Sequence, residues 1–451
     1  MRLTNIAQLN LPFGRLMGYD VAVLSREGSL PVSFDQGRHV GAGLRPGSWM
    51  ALSFQVPERL SLGDLEQAWL AVIDRHLTLR SVFEPGPDGP RLHQVRLGPG
   101  RWVEHPISTG QPVNAAVRDV LDLACAPYAQ PSHRLCVLET AVSTTVLIAA
   151  DHAHVDMWSM LVLARDLLRA LGQLGTGHTP ELAVAPGFAE HTQALLSRQT
   201  APEQVRERWT EILGASGEVM PRFPLPLGEP EPFPERVEVR DVLGTAEDAA
   251  FEAFAKDQEI STLSLAVSVM TKVTLEVAGQ PLRAVFPVHS RYEETWHDSV
   301  GWFITNSVIE SADPEPRLAQ AAVREAIRLG SWPLDDILQP WGGMPEAPGM
   351  FAISWLDLRR LPVQIDTTSL QAQYVSAVIR TDGVMLWFVF DQQGLHLRCR
   401  YPDTRKARRN VGGWLDRTVA QMREVANTYP HAAAAEMDDG LGHAASQDRN
   451  R

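Results

Sequence analysis

The chain reads as an α/β protein of two lobes, on three observations. Its 451 residues exceed what one compact core usually holds, so two units of roughly 200 residues each are expected. Apolar runs of strand length alternate with amphipathic helical windows in both halves. Near the middle, PRFPLPLGEPEPFPER carries six prolines and suits neither regular element, so it reads as an extended connector.

Taken in order, the first 30 residues show no clear period and read as irregular, and SWMALSFQVP follows as a short mixed strand. In SLGDLEQAWLAVIDRHLTLRSVF, Leu65, Trp69, Val72, Ile73 and Leu77 fall at helical spacing, with Ser61 or Asp64 as the cap. Residues 115–124 read as a second helix, stopped before Pro127. The strands LCVLET and TTVLIAA come next, then a helix through MWSMLVLARDLLRALGQLG that ends in glycines. A helix in PEQVRERWTEILG leads into the connector. Beyond it lie the helices TAEDAAFEAFAKDQ and STLSLAVSVMTKVTLEVAG, the strand LRAVFPV and the helix LAQAAVREAIR. The strands FAISWLDL, VMLWFVF and LHLRCRY precede a closing helix in TRKARRNVGGWLDRTVAQMREVA. The expected division is an N-terminal lobe over 1–195, a helix and connector over 196–240, a C-terminal lobe over 241–428 and a disordered Ala-, Asp- and Gly-rich tail over 429–451.

The net charge of −13 argues against a nucleic-acid binder, because phosphate contacts need a basic face. Cys125, Cys136 and Cys399 are dispersed, so neither a disulfide framework nor a zinc knuckle is expected. The first residues lack the charged-then-apolar order of a signal peptide, and no apolar run reaches the roughly 18 residues of a membrane span. A cytoplasmic location is expected. Lys256, Lys272 and Lys406 are the only lysines, an arginine bias that fits a GC-rich genome better than a binding site.

The most informative stretch is TTVLIAADHAHVDMWSM, residues 144–160, where an apolar strand ends in His152 and His154 between Asp151 and Asp156. The end of a strand that leads into a helix is where α/β proteins commonly hold reactive groups. Three readings compete there. HAHVDM approaches the H-x-H-x-D-H of dinuclear zinc hydrolases, but Met157 replaces a ligand and no second histidine cluster follows, so no metal is expected. A histidine base braced by a carboxylate four residues on needs only His152 and Asp156, and such a base contributes about 10²–10⁴-fold. Histidines that merely cap a strand end fit the same letters.

At these residues the sequence resembles the condensation-domain superfamily of nonribosomal peptide synthesis, which shares the fold of chloramphenicol acetyltransferase. Against the family signature H-H-x-x-x-D-G, often continued by Trp-Ser, the chain sets Asp151, His152, Asp156, Met157, Trp158 and Ser159. Four further stretches agree in order. PVSFDQGRHV resembles the opening motif through Ser33 and Gln36, and RHLTLRSVF is similar to the family's RHxxLRTxF. WTEILG with its proline-rich sequel resembles the crossing between lobes, and the block from LSLAVSVM through VFPVHSR to SVGWFITNSV resembles the helix, strand, "GR" and "VGxFVNT" segment. The resemblance covers about residues 30–425. Two positions depart from it. Asp151 replaces the first histidine, whose place in the family is mainly structural, and Met157 replaces the glycine, putting a large side chain beside the channel.

The resemblance implies two chloramphenicol acetyltransferase-like lobes forming a V around a central tunnel. It implies acyl transfer from a thioester on the phosphopantetheine arm of an acyl or peptidyl carrier protein to a small alcohol or amine, with no cofactor of the enzyme's own. His152 would be the catalytic group, as proton acceptor or as stabiliser of the tetrahedral intermediate. Asp156 would brace the corner and pair with Arg291, which stands in the "GR" position. Ser159 would cap the following helix or hydrogen-bond the intermediate. Trp158, Trp302, Asn306 and Ser354 fall on segments assigned to substrate binding, and His154 would point away as a satisfied polar residue. A free-standing monomer like the discrete actinobacterial members is expected, making esters or amides in natural-product biosynthesis. The alternatives are a lipid or sugar O-acyltransferase of the polyketide-associated type and a catalytically silent recruitment platform.

Overall fold

A strand buried on both faces organises the first half. The structure, a computed structural model, describes the backbone of residues 1–56 and 59–447 and the side chains of that range up to residue 428. Thr144–Asp151 is buried at every position, as its unalternating apolar sequence requires. Val146, Ile148 and Ala150 pack against Trp69 and Val72 of the helix Leu62–Arg75 and against Leu163 and Leu167 of the helix Met157–Gly175. Leu147 and Ala149 face the other way, onto Val117 and Leu121 of the helix Val113–Ala124. Ser61 caps the helix at Leu62, its hydroxyl accepting from the amides of Gly63 and Asp64.

The seven strands of this sheet run Arg2–Asn5, Gln373–Ser376, Trp49–Val56, Thr144–Asp151, His133–Glu139, Arg15–Asp20 and Arg101–Glu104. The second, also of seven, runs Ile304–Ser311, Leu282–His289, Phe351–Asp357, Val384–Asp391, Gly394–Pro402, Phe233–Leu243 and Arg380–Thr381. The helix Thr262–Ala278, ended by Gly279 in the left-handed region at φ 63°, covers one of its faces together with the closing helix Arg405–Gln447. Trp209 and Ile212 of the helix Glu203–Ala215 cover the other. Val23–Leu30, Arg91–Leu97 and Ser81–Glu84 form a third, small sheet.

The halves are interlocked. Gln373–Ser376 pairs in parallel with Arg2–Asn5 and antiparallel with Trp49–Val56, so a late segment completes the first sheet. From the second sheet, the Arg398 guanidinium donates to Ser376 Oγ at 2.8 Å.

Two readings of local structure change. The first 30 residues are not irregular, because Arg2–Asn5, Arg15–Asp20 and Val23–Leu30 are strands. Val23–Leu30 is largely exposed and interrupted by two register shifts, which removes the alternation that marks a strand. The connector ends sooner than expected, since Phe233–Leu243 pairs with Gly394–Pro402. Pro234 sits in its first residues, where a missing donor is tolerated. The tail expected over 429–451 lies outside the described side chains.

Candidate active site

The chain leaves the strand at Asp151, makes one tight turn over His152–His154 and enters the long helix at Met157. Two contacts fix the turn. The His152 amide donates to the Ser48 carbonyl at 3.0 Å, and Gln36 Nε2 donates to the Ala153 carbonyl at 2.8 Å. Gln36 is itself set by a reciprocal capping box with Ser33.

Asp156 is the helix cap, and all its bonds are structural. Oδ1 accepts from the Ser159 amide at 2.7 Å, and Oδ2 accepts from the Phe303 amide at 3.0 Å. Arg291 reaches both oxygens through Nη2, at 3.0 and 3.2 Å, and the two side chains are almost fully buried. The same nitrogen donates to Ser159 Oγ at 2.8 Å, while Nη1 serves the carbonyls of Trp296 and Ser299. The guanidinium carbon lies 3.8 Å from the Phe303 ring centroid, and burial lowers this arginine's pKa against the pull of Asp156. One buried ion pair thus joins segments 135 residues apart.

Ser159 has no capacity left for a reacting atom. Its hydroxyl donates to the Gly301 carbonyl at 2.9 Å and accepts from the Gly301 amide at 3.1 Å as well as from Arg291. It is neither the helix cap, which is Asp156, nor free to bind an intermediate. Gly301 is required by the close approach, since a Cβ there would meet Phe188 at 2.4 Å.

His152 contrasts with these saturated groups. Among the described residues its Nδ1 is buried with no hydrogen-bond partner. Burial pushes its pKa below 6.5 and the neighbouring His39 adds to that, while a hydrogen bond to its own backbone, Asp151 and Asp156 oppose it. A neutral ring results, and among the described residues no other side chain holds either of its nitrogens by a hydrogen bond. Trp302 covers it, with ring centroids 4.2 Å apart and planes inclined by 31°.

On the opposite flank, Asp151 is completely buried and accepts from the Ala153 amide at 2.9 Å and from His39 Nε2 at 3.1 Å. Burial would raise this carboxyl's pKa, yet the bond and proximity of His39 hold it below the usual range. Arg45 in turn donates to His39 Nδ1 at 2.8 Å. His39, Arg45 and Trp302 line a cavity of about 1240 Å³, walled also by Phe188, Trp332 and Glu346, and His152 is not part of that wall.

The other expected residues are dispersed. Trp158 donates to the His297 carbonyl at 3.0 Å and lies beside Arg291, outside the cavity wall. Asn306 donates to Asp35 Oδ1 at 3.1 Å, and of the two only Asp35 lines the cavity. Ser354 sits opposite Trp387 in the second sheet, also away from that wall. His154 is less satisfied than expected. It is buried against Phe83, with Ser81 Oγ at 3.5 Å, no partner at Nε2 and a pKa lowered to about 4 by burial. Among the described residues no three His, Cys, Asp or Glu side chains converge as a metal site, and no single helix is long and apolar enough to cross a membrane.

Sequence reasoning passed over His39 and Arg45, although His39 stands inside PVSFDQGRHV. The signal was Asp151, since a carboxylate at the end of a buried strand must find donors.

Comparison with known proteins gives the family. The condensation domain family model matches residues 31–324, and the chain belongs to that family. An acyltransferase of Mycobacterium tuberculosis, PapA3, is 22% identical over 427 residues, covering 88% of this chain and 90% of its own. Among solved structures, a PapA2 acyl transferase superposes with a TM-score of 0.83 at 19% identity, over 94% of this chain and 100% of the other. The X-domain from teicoplanin biosynthesis gives a TM-score of 0.71 at 17% identity, over 90% and 97%. The fold is therefore chloramphenicol acetyltransferase-like, and the protein is an acyltransferase.

Proposed function

We propose that the protein transfers an acyl or aminoacyl group from the phosphopantetheine thioester of a carrier protein to a small alcohol or amine. The observation that supports this best is a neutral imidazole that no other described side chain holds, carried on a fixed turn against Trp302 and His39, two residues that line a large cavity. The His152 ring takes the proton from the acceptor O–H or N–H as its oxygen or nitrogen attacks the thioester carbonyl. The tetrahedral intermediate then collapses, the C–S bond breaks and the thiolate leaves as the thiol, taking a proton from His152. Asp156 and Arg291 hold the turn and do not touch the reacting atoms. Holding both substrates beside His152 contributes further through orientation. His152 is thus the base, and Asp156 with Arg291 is its frame.

A polyketide-associated O-acyltransferase making esters is the second reading, favoured by the end-to-end similarity to PapA3 and PapA2. One experiment addresses both. Acyl- and aminoacyl-loaded carrier proteins and acyl-coenzyme A are incubated with pooled alcohols and amines, beside a His152→Ala control, and products are identified by mass spectrometry. Acceptor-dependent unloading that disappears in the variant supports the proposal, and the product names the bond. Unloading that persists undiminished in His152→Ala contradicts it.

A further inference from the structure

We propose that His39 is a positioning residue: clamped by Asp151 and Arg45, it fixes the Trp302 ring across His152 and closes the inner end of the cavity. The inference rests on His152 being the reactive group and adds the element that controls access to it.

The clamp follows from hydrogen-bond inventory. A guanidinium only donates, so His39 Nδ1, 2.8 Å from Arg45 Nη2, must be the accepting nitrogen. The ring's proton therefore sits on Nε2 and is donated to Asp151, whose oxygens lie at 3.1 and 3.2 Å. Arg45 also donates from Nη1 to the His39 carbonyl at 2.7 Å, gripping ring and backbone together. Both nitrogens are committed, so His39 has no lone pair or proton to give a substrate.

What the clamped ring touches gives it a role. It meets Trp302 edge-to-face, with centroids 5.2 Å apart and planes at 81°, a favoured aromatic geometry. Trp302 in turn lies across His152 at 4.2 Å, while His39 and His152 are 6.1 Å apart. His39 and Trp302 both line the cavity, and the half-buried His152 lies against both rings. Asp151 explains why the device stands here. It replaces the family histidine with a fully buried carboxylate, and His39 is the side chain that satisfies it.

The test needs no substrate. Diethyl pyrocarbonate carbethoxylates a neutral imidazole at a free nitrogen, and its rate at His152 can be followed by peptide mass spectrometry on the full chain. His39→Leu is expected to raise that rate roughly fivefold, the factor one lost hydrogen bond is worth. Arg45→Met should raise it less, and His39→Gln, whose amide still donates to Asp151, should return it toward wild type. Trp302→Ala sets the upper limit. Circular dichroism checks folding, and if His39→Leu fails to fold, Arg45→Met decides. A His152 rate at the wild-type value in both His39→Leu and Arg45→Met overturns the proposal. Carbethoxylation of His152 that leaves acyl transfer intact would instead sink His152 as the base, while the labelling rates still report on the clamp.

Discussion

Asp151 and Asp156 flank His152, are buried alike and do opposite things. Asp156 is tied to Arg291, Phe303 and the start of its own helix, so it fastens the corner to a segment from the other half of the chain. Asp151 is tied to the short helix Phe34–Gly41 through His39, on the side that faces the cavity. The first is a seam and the second a clamp on the residues beside the cavity. The difference shows that carboxylates of equal burial are distinguished by where their donors come from. A seam should govern global stability, and a clamp should govern access.

Arg291→Ala probes the seam hardest, because it leaves Asp156 buried and unpaired. Urea unfolding should show a loss of about 3–5 kcal/mol, with acyl transfer falling alongside. Asp151→Ala should cost about 1.5–3 kcal/mol, since charge-assisted bonds to His39 and the Ala153 amide are lost, and should perturb transfer more than its stability loss explains. A larger stability loss for Asp151→Ala than for Arg291→Ala would break the contrast. Gly301→Ala forces a Cβ against Phe188 on the seam and should cost roughly 1–3 kcal/mol in the same unfolding assay. Trp158→Phe removes only the bond to the His297 carbonyl, so a loss of about 0.5–1.5 kcal/mol is expected, with transfer nearly unchanged.

Much of the fold was legible where local pattern and burial agree. TTVLIAA announced a strand, which the fold buries on both faces, and Leu65, Trp69, Val72 and Ile73 announced a helix, which packs on that strand. The signature read around His152 also aligned Arg291 with Asp156, two residues the structure brings to 3.0 Å. What stayed hidden depends on distant partners. Arg2–Asn5 is four residues long and finds its partner in Gln373–Ser376, which no periodicity reveals. Ser159 was open to capping the helix or bonding the intermediate because nothing local shows that Gly301 and Arg291 occupy its hydroxyl. His39 was missed for the same reason: its meaning comes from a carboxylate 112 residues away.

The pH dependence of kcat/KM, measured with a donor and acceptor identified by the unloading experiment, tests the proposed base most directly. His152 must be neutral to take a proton, and burial lowers its pKa. The acid limb should therefore lie below pH 6.5, with a plateau above it. The residual activity of His152→Ala should lack that limb. A limb at or above pH 6.5, or the same limb surviving in His152→Ala, would contradict a neutral His152 as the base.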